Sequence, residues 1–97
     1  MSRLDQIKQT LESQKEYLKE KYKIKEIGIF GSYIRGEQKK KSDLDILVEF
    51  EEAPGLFTFM EIENYLSEIL NAKVDLVMKD ALKPVIGRFI LKEVITV

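Results

Sequence analysis

Leu4, Ile7, Leu11 and Leu18 recur at intervals that keep them on one side of a helix, with polar residues filling most positions between. A stripe of that period predicts an amphipathic helix over residues 3–22. Ser2 and Asp5 supply a capping pair at its start. Residues 24–30 are rich in β-branched and aromatic side chains and predict a short strand. Gly31-Ser32 ends it, with Ser32 placed to cap a helical turn that runs to Gly36. Alternation is clearest over 43–50: Leu44, Ile46, Val48 and Phe50 share one face, and Asp43, Asp45, Leu47 and Glu49 the other. Pro54-Gly55 breaks the chain before a helix over 56–70, whose buried stripe is Phe59, Ile62, Leu66 and Ile69 and whose left-handed cap is Asn71. A third strand follows over 73–78, with Val74, Leu76 and Met78 opposite Asp75 and Val77. Residues 81–92 read as another apolar helix with Pro84 in its first turn, and 94–97 as a short last strand.

This succession predicts an α/β fold: a small mixed sheet of three core strands and a fourth at the C-terminus, flanked by helices, in a single domain over 1–97. No internal repeat, low-complexity tract or linker interrupts it. Of the 97 residues 44% are hydrophobic, enough for one modest core, and 34% are charged, which favours solubility.

Composition narrows the chemistry sharply. There is no histidine and no cysteine, which excludes imidazole acid–base catalysis, a Ser-His-Asp triad, a thiol nucleophile, disulfides and zinc-type Cys/His clusters. The lack of cysteine suits a reducing cytoplasm. No apolar run approaches the roughly 20 residues of a membrane span, and a net charge of −1 gives no global attraction to long nucleic acid. The one local basic run, Lys39-Lys40-Lys41, reads first as a solvated loop, with phosphate contact as the functional alternative. Tyr17, Tyr22, Tyr33 and Tyr65 read as packing or interface residues. Carboxylate-based metal chemistry is what remains.

The residues that carry it are Gly31-Ser32, ten intervening residues, then Asp43-Leu44-Asp45. Residues two apart on a strand point the same way with Cα atoms about 6.6 Å apart, so Asp43 and Asp45 project from one sheet face. Two like charges at that range call for a cation between them. Magnesium suits such a site because it takes oxygen ligands and completes its shell with water and phosphate oxygens. Asp75 joins the same face if the third strand lies beside the second. Gly31 allows close backbone approach, Ser32 offers a hydroxyl and an N–H to phosphate, and Arg35, one turn on, adds a guanidinium clamp. Each feature alone is common on protein surfaces. Their joint spacing on a strand–turn–strand frame favours binding a nucleoside triphosphate and transferring its nucleotidyl group.

Gly-Ser, about ten residues, Asp-x-Asp and a later strand Asp resemble the motif of the nucleotidyltransferase superfamily typified by the DNA polymerase β palm. Gly31, Ser32, Asp43, Asp45 and Asp75 fall on it, the last within Lys73-Val74-Asp75-Leu76-Val77. The longer form Gly-Ser-x-x-Arg-Gly…Ser-Asp-x-Asp, with the small size, is similar to the minimal nucleotidyltransferase (MNT) branch. Ile34 stands where that branch commonly has alanine. The resemblance implies a palm-like fold, two Mg2+ ions held by Asp43, Asp45 and Asp75, and ATP or another nucleoside triphosphate gripped by Gly31, Ser32 and Arg35. It further implies a HEPN toxin as partner, neutralised by transfer of AMP to a tyrosine. Two other readings stand beside this one: an antitoxin that neutralises by binding alone, and a transferase acting on a small antibiotic of the aminoglycoside type, which the lack of a substrate domain weakens. Base preference, acceptor and oligomeric state stay open, an oligomer included.

Overall fold

A computed structural model describes residues 2–39 and 43–97, so Lys40, Lys41 and Ser42 of the basic loop lie outside the described residues. The elements follow in the order α1 (Arg3–Tyr22), β1 (Ile24–Phe30), α2 (Ser32–Arg35), β2 (Leu44–Phe50), α3 (Leu56–Leu70), β3 (Val74–Met78), a 3-10 turn (Lys79–Ala81), α4 (Pro84–Glu93) and β4 (Ile95–Thr96). The strands form one mixed sheet in the order β3-β2-β1-β4. β2 and β3 are parallel, joined by the α3 crossover, and β1 pairs antiparallel with both β2 and β4.

The core lies between one sheet face and the helices α1 and α3. Ile27, Ile29, Leu44, Ile46, Val48, Val74 and Leu76 meet Ile7, Leu11 and Leu18 of α1 and Ile62, Leu66 and Leu70 of α3, all buried. The α3 stripe is turned slightly from the expected one: Leu70 is buried, while Phe59 and Ile69 pack partly covered at its edges. Tyr22 is buried with its hydroxyl donating to Glu61 at 2.7 Å, and Tyr65 donates to Gln14 at 2.6 Å. Tyr17 packs against both rings, and Tyr33 lies partly buried against the core. Tyr22, Tyr33 and Tyr65 thus pack within the fold, while Tyr17 stays exposed beside its two ring neighbours.

Local chemistry sets the element ends. Ser2 Oγ accepts the Asp5 N–H at 3.1 Å at the start of α1. Asn71 closes α3 in the left-handed region with φ 50°, and the Arg3 guanidinium donates to the carbonyls of Leu70 and Asn71 at that same end. The last helix begins at Pro84, three residues later than the pattern suggested. A residue before proline is driven to extended backbone; Lys83 obeys with φ −73° and ψ 149°. The chain therefore makes a separate 3-10 turn at Lys79–Ala81 and extends through Leu82 and Lys83 before the helix starts.

β3 lies at one edge of the sheet, and an open edge invites pairing with another chain. Here α3 covers it. Ser67 Oγ accepts the Val74 N–H at 3.0 Å and Glu63 Oε2 accepts the Leu76 N–H at 3.0 Å. Val74 and Leu76 are themselves buried, so these N–H groups would otherwise stand unpaired. Replacing Ser67 with alanine should cost about 1–3 kcal/mol, the price of an unsatisfied buried donor, read as a lower urea midpoint at unchanged m-value.

Candidate functional site

The sheet's second face carries the acids. Register places Asp45 beside Asp75 on parallel β3 and opposite Phe30, the last residue of β1. In a parallel pair, residues in register project from the same face about 4.8 Å apart. Asp75 is thus brought to the side of Asp45, as expected if β3 lay beside β2. Asp43 precedes β2 by one residue and faces Lys73, with Nζ 4.0 Å from Oδ1, an exposed contact worth little. Asp45 stands between the two other acids.

Its electrostatics follow from that position. The Asp45 carboxyl is pushed above its ordinary value, first by partial burial, then by the charges of Asp75 and Asp43, with Glu93 adding and Arg35 opposing. A row of oxygen donors that repel one another fits a hard divalent cation. It is an open row: among the described residues no group of three or more acidic side chains is gathered closely enough to hold a metal ion by itself. Coordination would have to be completed by water and substrate oxygens, which is how magnesium is usually held.

Gly31 joins the turn to this row. Its backbone has φ 84° and ψ −152°, a region essentially restricted to glycine. A Cβ there would lie 2.0 Å from Asp45 Oδ2, so the turn approaches the carboxylate only because no side chain is present. Gly31, not Ser32, is the N-cap of α2: its carbonyl accepts the N–H groups of Ile34 and Arg35 at 3.0 and 3.2 Å. Ser32 is the first helical residue, since the preceding glycine alone tolerates the non-helical conformation that the cap needs. Its carbonyl accepts the Glu37 N–H at 2.9 Å.

Gly31, Arg35 and Asp45 line a cleft of about 490 Å³ whose other wall comes from α4, through Ile86, Phe89, Ile90 and Glu93, with Phe30 at its floor. Ser32, Asp43 and Asp75 adjoin this cleft without lining it. Phe89 and Ile86 are 73% and 57% exposed, high values for apolar side chains. Behind them, Gly28 lets β4 approach closely: a Cβ at Gly28 would meet Val94 Cγ2 at 2.7 Å and the Ile95 carbonyl at 3.0 Å.

Arg35 is already engaged. It donates to Glu93 Oε1 at 2.8 Å and to Glu37 Oε2 at 3.2 Å, and these carboxylates, Glu93 first, hold its proton more tightly. Glu93 Oε2 also accepts the Gly31 N–H at 2.8 Å. Partial burial works to raise the Glu93 carboxyl, but the bonds from Arg35 and Gly31 outweigh it and hold the group below its ordinary value. Sequence reasoning passed over Glu93, which falls between the predicted helix and the last strand. One signal was present: a carboxylate ending a helix opposes the macrodipole, which points to a tertiary partner.

Two outcomes test this geometry. Gly31→Ala should lose about 1–3 kcal/mol through backbone strain alone, and more through the clash with Asp45, measured by urea unfolding. For Asp45, folding favours the protonated form. Its contribution is therefore nil below the ordinary value of 3.8, and it turns into a penalty as pH rises through the higher folded value. In EDTA, Asp45→Asn should melt above wild type at pH 7, with the gap closing as pH falls towards 3.8; equal melting at pH 7 would contradict the crowded row.

Residues 11–97 match the nucleotidyltransferase domain family. The chain is similar to the protein adenylyltransferase MntA of Thermococcus cleftensis, with 50% identity over 97 residues, covering 100% of this chain and 98% of the relative. It also resembles a solved structure provisionally described as a minimal nucleotidyltransferase, with TM-score 0.72 and 33% identity over 90% of this chain and 92% of that one. A third likeness, in fold, is to a structure of tri-AMPylated Shewanella oneidensis HEPN toxin in complex with MNT antitoxin. There the TM-score is 0.68 at 21% identity, over 93% of this chain and 70% of that one.

Proposed function

The chain belongs to the nucleotidyltransferase domain family, in its minimal branch, and from that premise we propose that it transfers AMP from ATP to a protein hydroxyl. The acceptor in this reading is a tyrosine of a HEPN toxin, which the transfer silences, so that the chain acts as an antitoxin in the cytoplasm. The observation that carries the reading is the approach of Gly31 to Asp45: a glycine turn of the kind that receives phosphate lies against the middle of three carboxylates. The protein adenylyltransferase at 50% identity and the AMPylated toxin complex of the same fold support the choice of nucleotide and partner.

The proposed reaction forms a bond from the hydroxyl oxygen to the α-phosphorus and breaks the bond to the departing pyrophosphate. Members of this superfamily are typically metal-dependent. Asp43, Asp45 and Asp75 would hold Mg2+, two ions in our reading, whose charge when bound neutralises the triphosphate and makes the hydroxyl more acidic. The remaining work falls to the protein. Ser32 donates its N–H and hydroxyl to phosphate oxygens. Arg35 turns the guanidinium nitrogens not taken by Glu93 and Glu37 towards the cleft. Asp75, exposed at the open end of the row, receives the proton that leaves the hydroxyl. Ile86 and Phe89 give the apolar wall on which a planar ring can rest, which suits an aromatic acceptor better than a polar sugar antibiotic.

Incubation with ATP, Mg2+ and a co-purified partner, followed by mass spectrometry of both chains, tests the reading. Asp43→Asn and Asp45→Asn should abolish AMP transfer while the fold persists. Asp75→Asn should keep much of the nucleotide affinity and lose most of the transfer rate. Full neutralisation of the partner by wild type and mutants alike, with no AMP adduct, would mean that the chain protects by binding alone.

A further inference from the structure

Glu93 bridges both ends of α2. One of its oxygens accepts the N–H of Gly31, the residue before the helix, and the other accepts Arg35 Nη1, from the helix's last residue, each at 2.8 Å. The carboxylate is 21% exposed. It sits where scaffold holds it from both sides. It ends α4, and the next residue's N–H, that of Val94, returns to the Ile90 carbonyl at 2.9 Å. Beyond it, Ile95 and Thr96 pair with Ile29 and Gly28 of β1, and the Val97 N–H reaches the Ile27 carbonyl at 2.9 Å. A side chain anchored in this way is poorly placed to swing aside when ligand arrives.

We propose that Glu93 is a positioning residue for nucleotidyl transfer: it clamps the Gly31–Arg35 turn against Asp45 and aims the free side of the Arg35 guanidinium into the cleft, without itself touching the nucleotide. This rests on the transfer reading above, and it adds a residue that the Gly-Ser and Asp-x-Asp motifs do not contain. Three features make the bridge suited to the task. Gly31 has backbone freedom that ordinary residues lack, so a turn built on it needs an external tie. Arg35 is half-exposed, and a long side chain loses much rotamer entropy when it is fixed; a charge-assisted bond to the partly buried Glu93 carboxylate fixes it beforehand. Finally, the tie comes from the strand-anchored end of α4, the helix that forms the opposite wall of the cleft, so one carboxylate sets the distance between the two walls.

The contrary possibility is an anionic plug, a carboxylate that phosphate must expel. The two make opposite predictions. The test uses the full chain with its partner, and calorimetric binding of a non-hydrolysable ATP analogue with Mg2+ and no acceptor. Glu93→Ala should weaken analogue binding and lower kcat at saturating ATP, together by roughly a hundredfold in kcat/KM, the scale of a displacement of about 1 Å in a positioned group. Glu93→Gln keeps the length but offers one acceptor oxygen, its NH2 facing the second donor, and should fall between wild type and Glu93→Ala, whereas Glu93→Asp, too short to span both donors, should lose about as much as Glu93→Ala. In an Arg35→Ala background Glu93→Ala should cost clearly less than it does alone, because the part that acts through the guanidinium is already lost and only the Gly31 tie remains. Tighter analogue binding by Glu93→Ala, or fully additive losses with Arg35→Ala, would overturn the proposal. If Glu93→Ala does not fold, the Gln and Asp variants decide: equal, wild-type kinetics in both would also overturn it. Wild type that fails to bind the analogue would instead overturn the transfer reading itself.

Discussion

The pairing of Phe30 with Asp45 across β1 and β2 is the constraint on which the rest of the molecule depends. Side chains alternate with a period of two, so a slip of one residue in that pairing would turn Leu44, Ile46 and Val48 to solvent and drive Asp45 into the core. The buried face pins the register. With Ile29 opposite Ile46 and Ile27 opposite Val48, burial of the branched side chains against α1 and α3 holds Asp45 on the opposite face, at the end of β1 where Gly31 begins the turn. The hydrophobic core thus positions a polar site that it never touches.

The parallel pairing of β2 with β3 extends the same logic. Leu44 and Val74, then Ile46 and Leu76, stack on the core side, which leaves Asp45 and Asp75 as neighbours on the other. Their mutual repulsion is an unfavourable term that the folded protein carries because apolar burial around them is larger. α3 adds a second stabilising device by capping the exposed edge of β3 through Ser67 and Glu63. Those bonds protect the edge from foreign strands and hold Asp75 at the depth of Asp45.

The opposite wall of the cleft is made differently. α4 leaves Ile86 and Phe89 open to solvent and is tied through Glu93 to Gly31 and Arg35 of the turn beside the acids. That division suits a small transferase: a rigid sheet carries the charged groups, and an apolar helix faces whatever brings the hydroxyl. The counter-charges around Arg35, supplied by Glu93 and Glu37, also keep the guanidinium from collapsing onto Asp45, which leaves that carboxylate available.

Periodicity and spacing by themselves determined a great deal. The alternation over 44–50, the stripes of α1 and α3, and the turn residues at 31, 55 and 71 reflect local sterics and burial on one face, so they can be read without knowing what lies opposite. The same holds for Gly31, Ser32, Asp43 and Asp45, which are close in the chain. Other facts needed the third dimension. Asp75 was placed only conditionally, because which strand lies beside β2 is settled by the α3 crossover and not by any local pattern. The start of α4 at Pro84 hinged on how Lys79–Lys83 leave β3. Arg35 proved to be tied to Glu93, 58 residues away in the chain. No periodic signal marks such a pair, since hydrogen bonds between distant side chains depend on where whole elements come to rest, and that is decided only when the core packs.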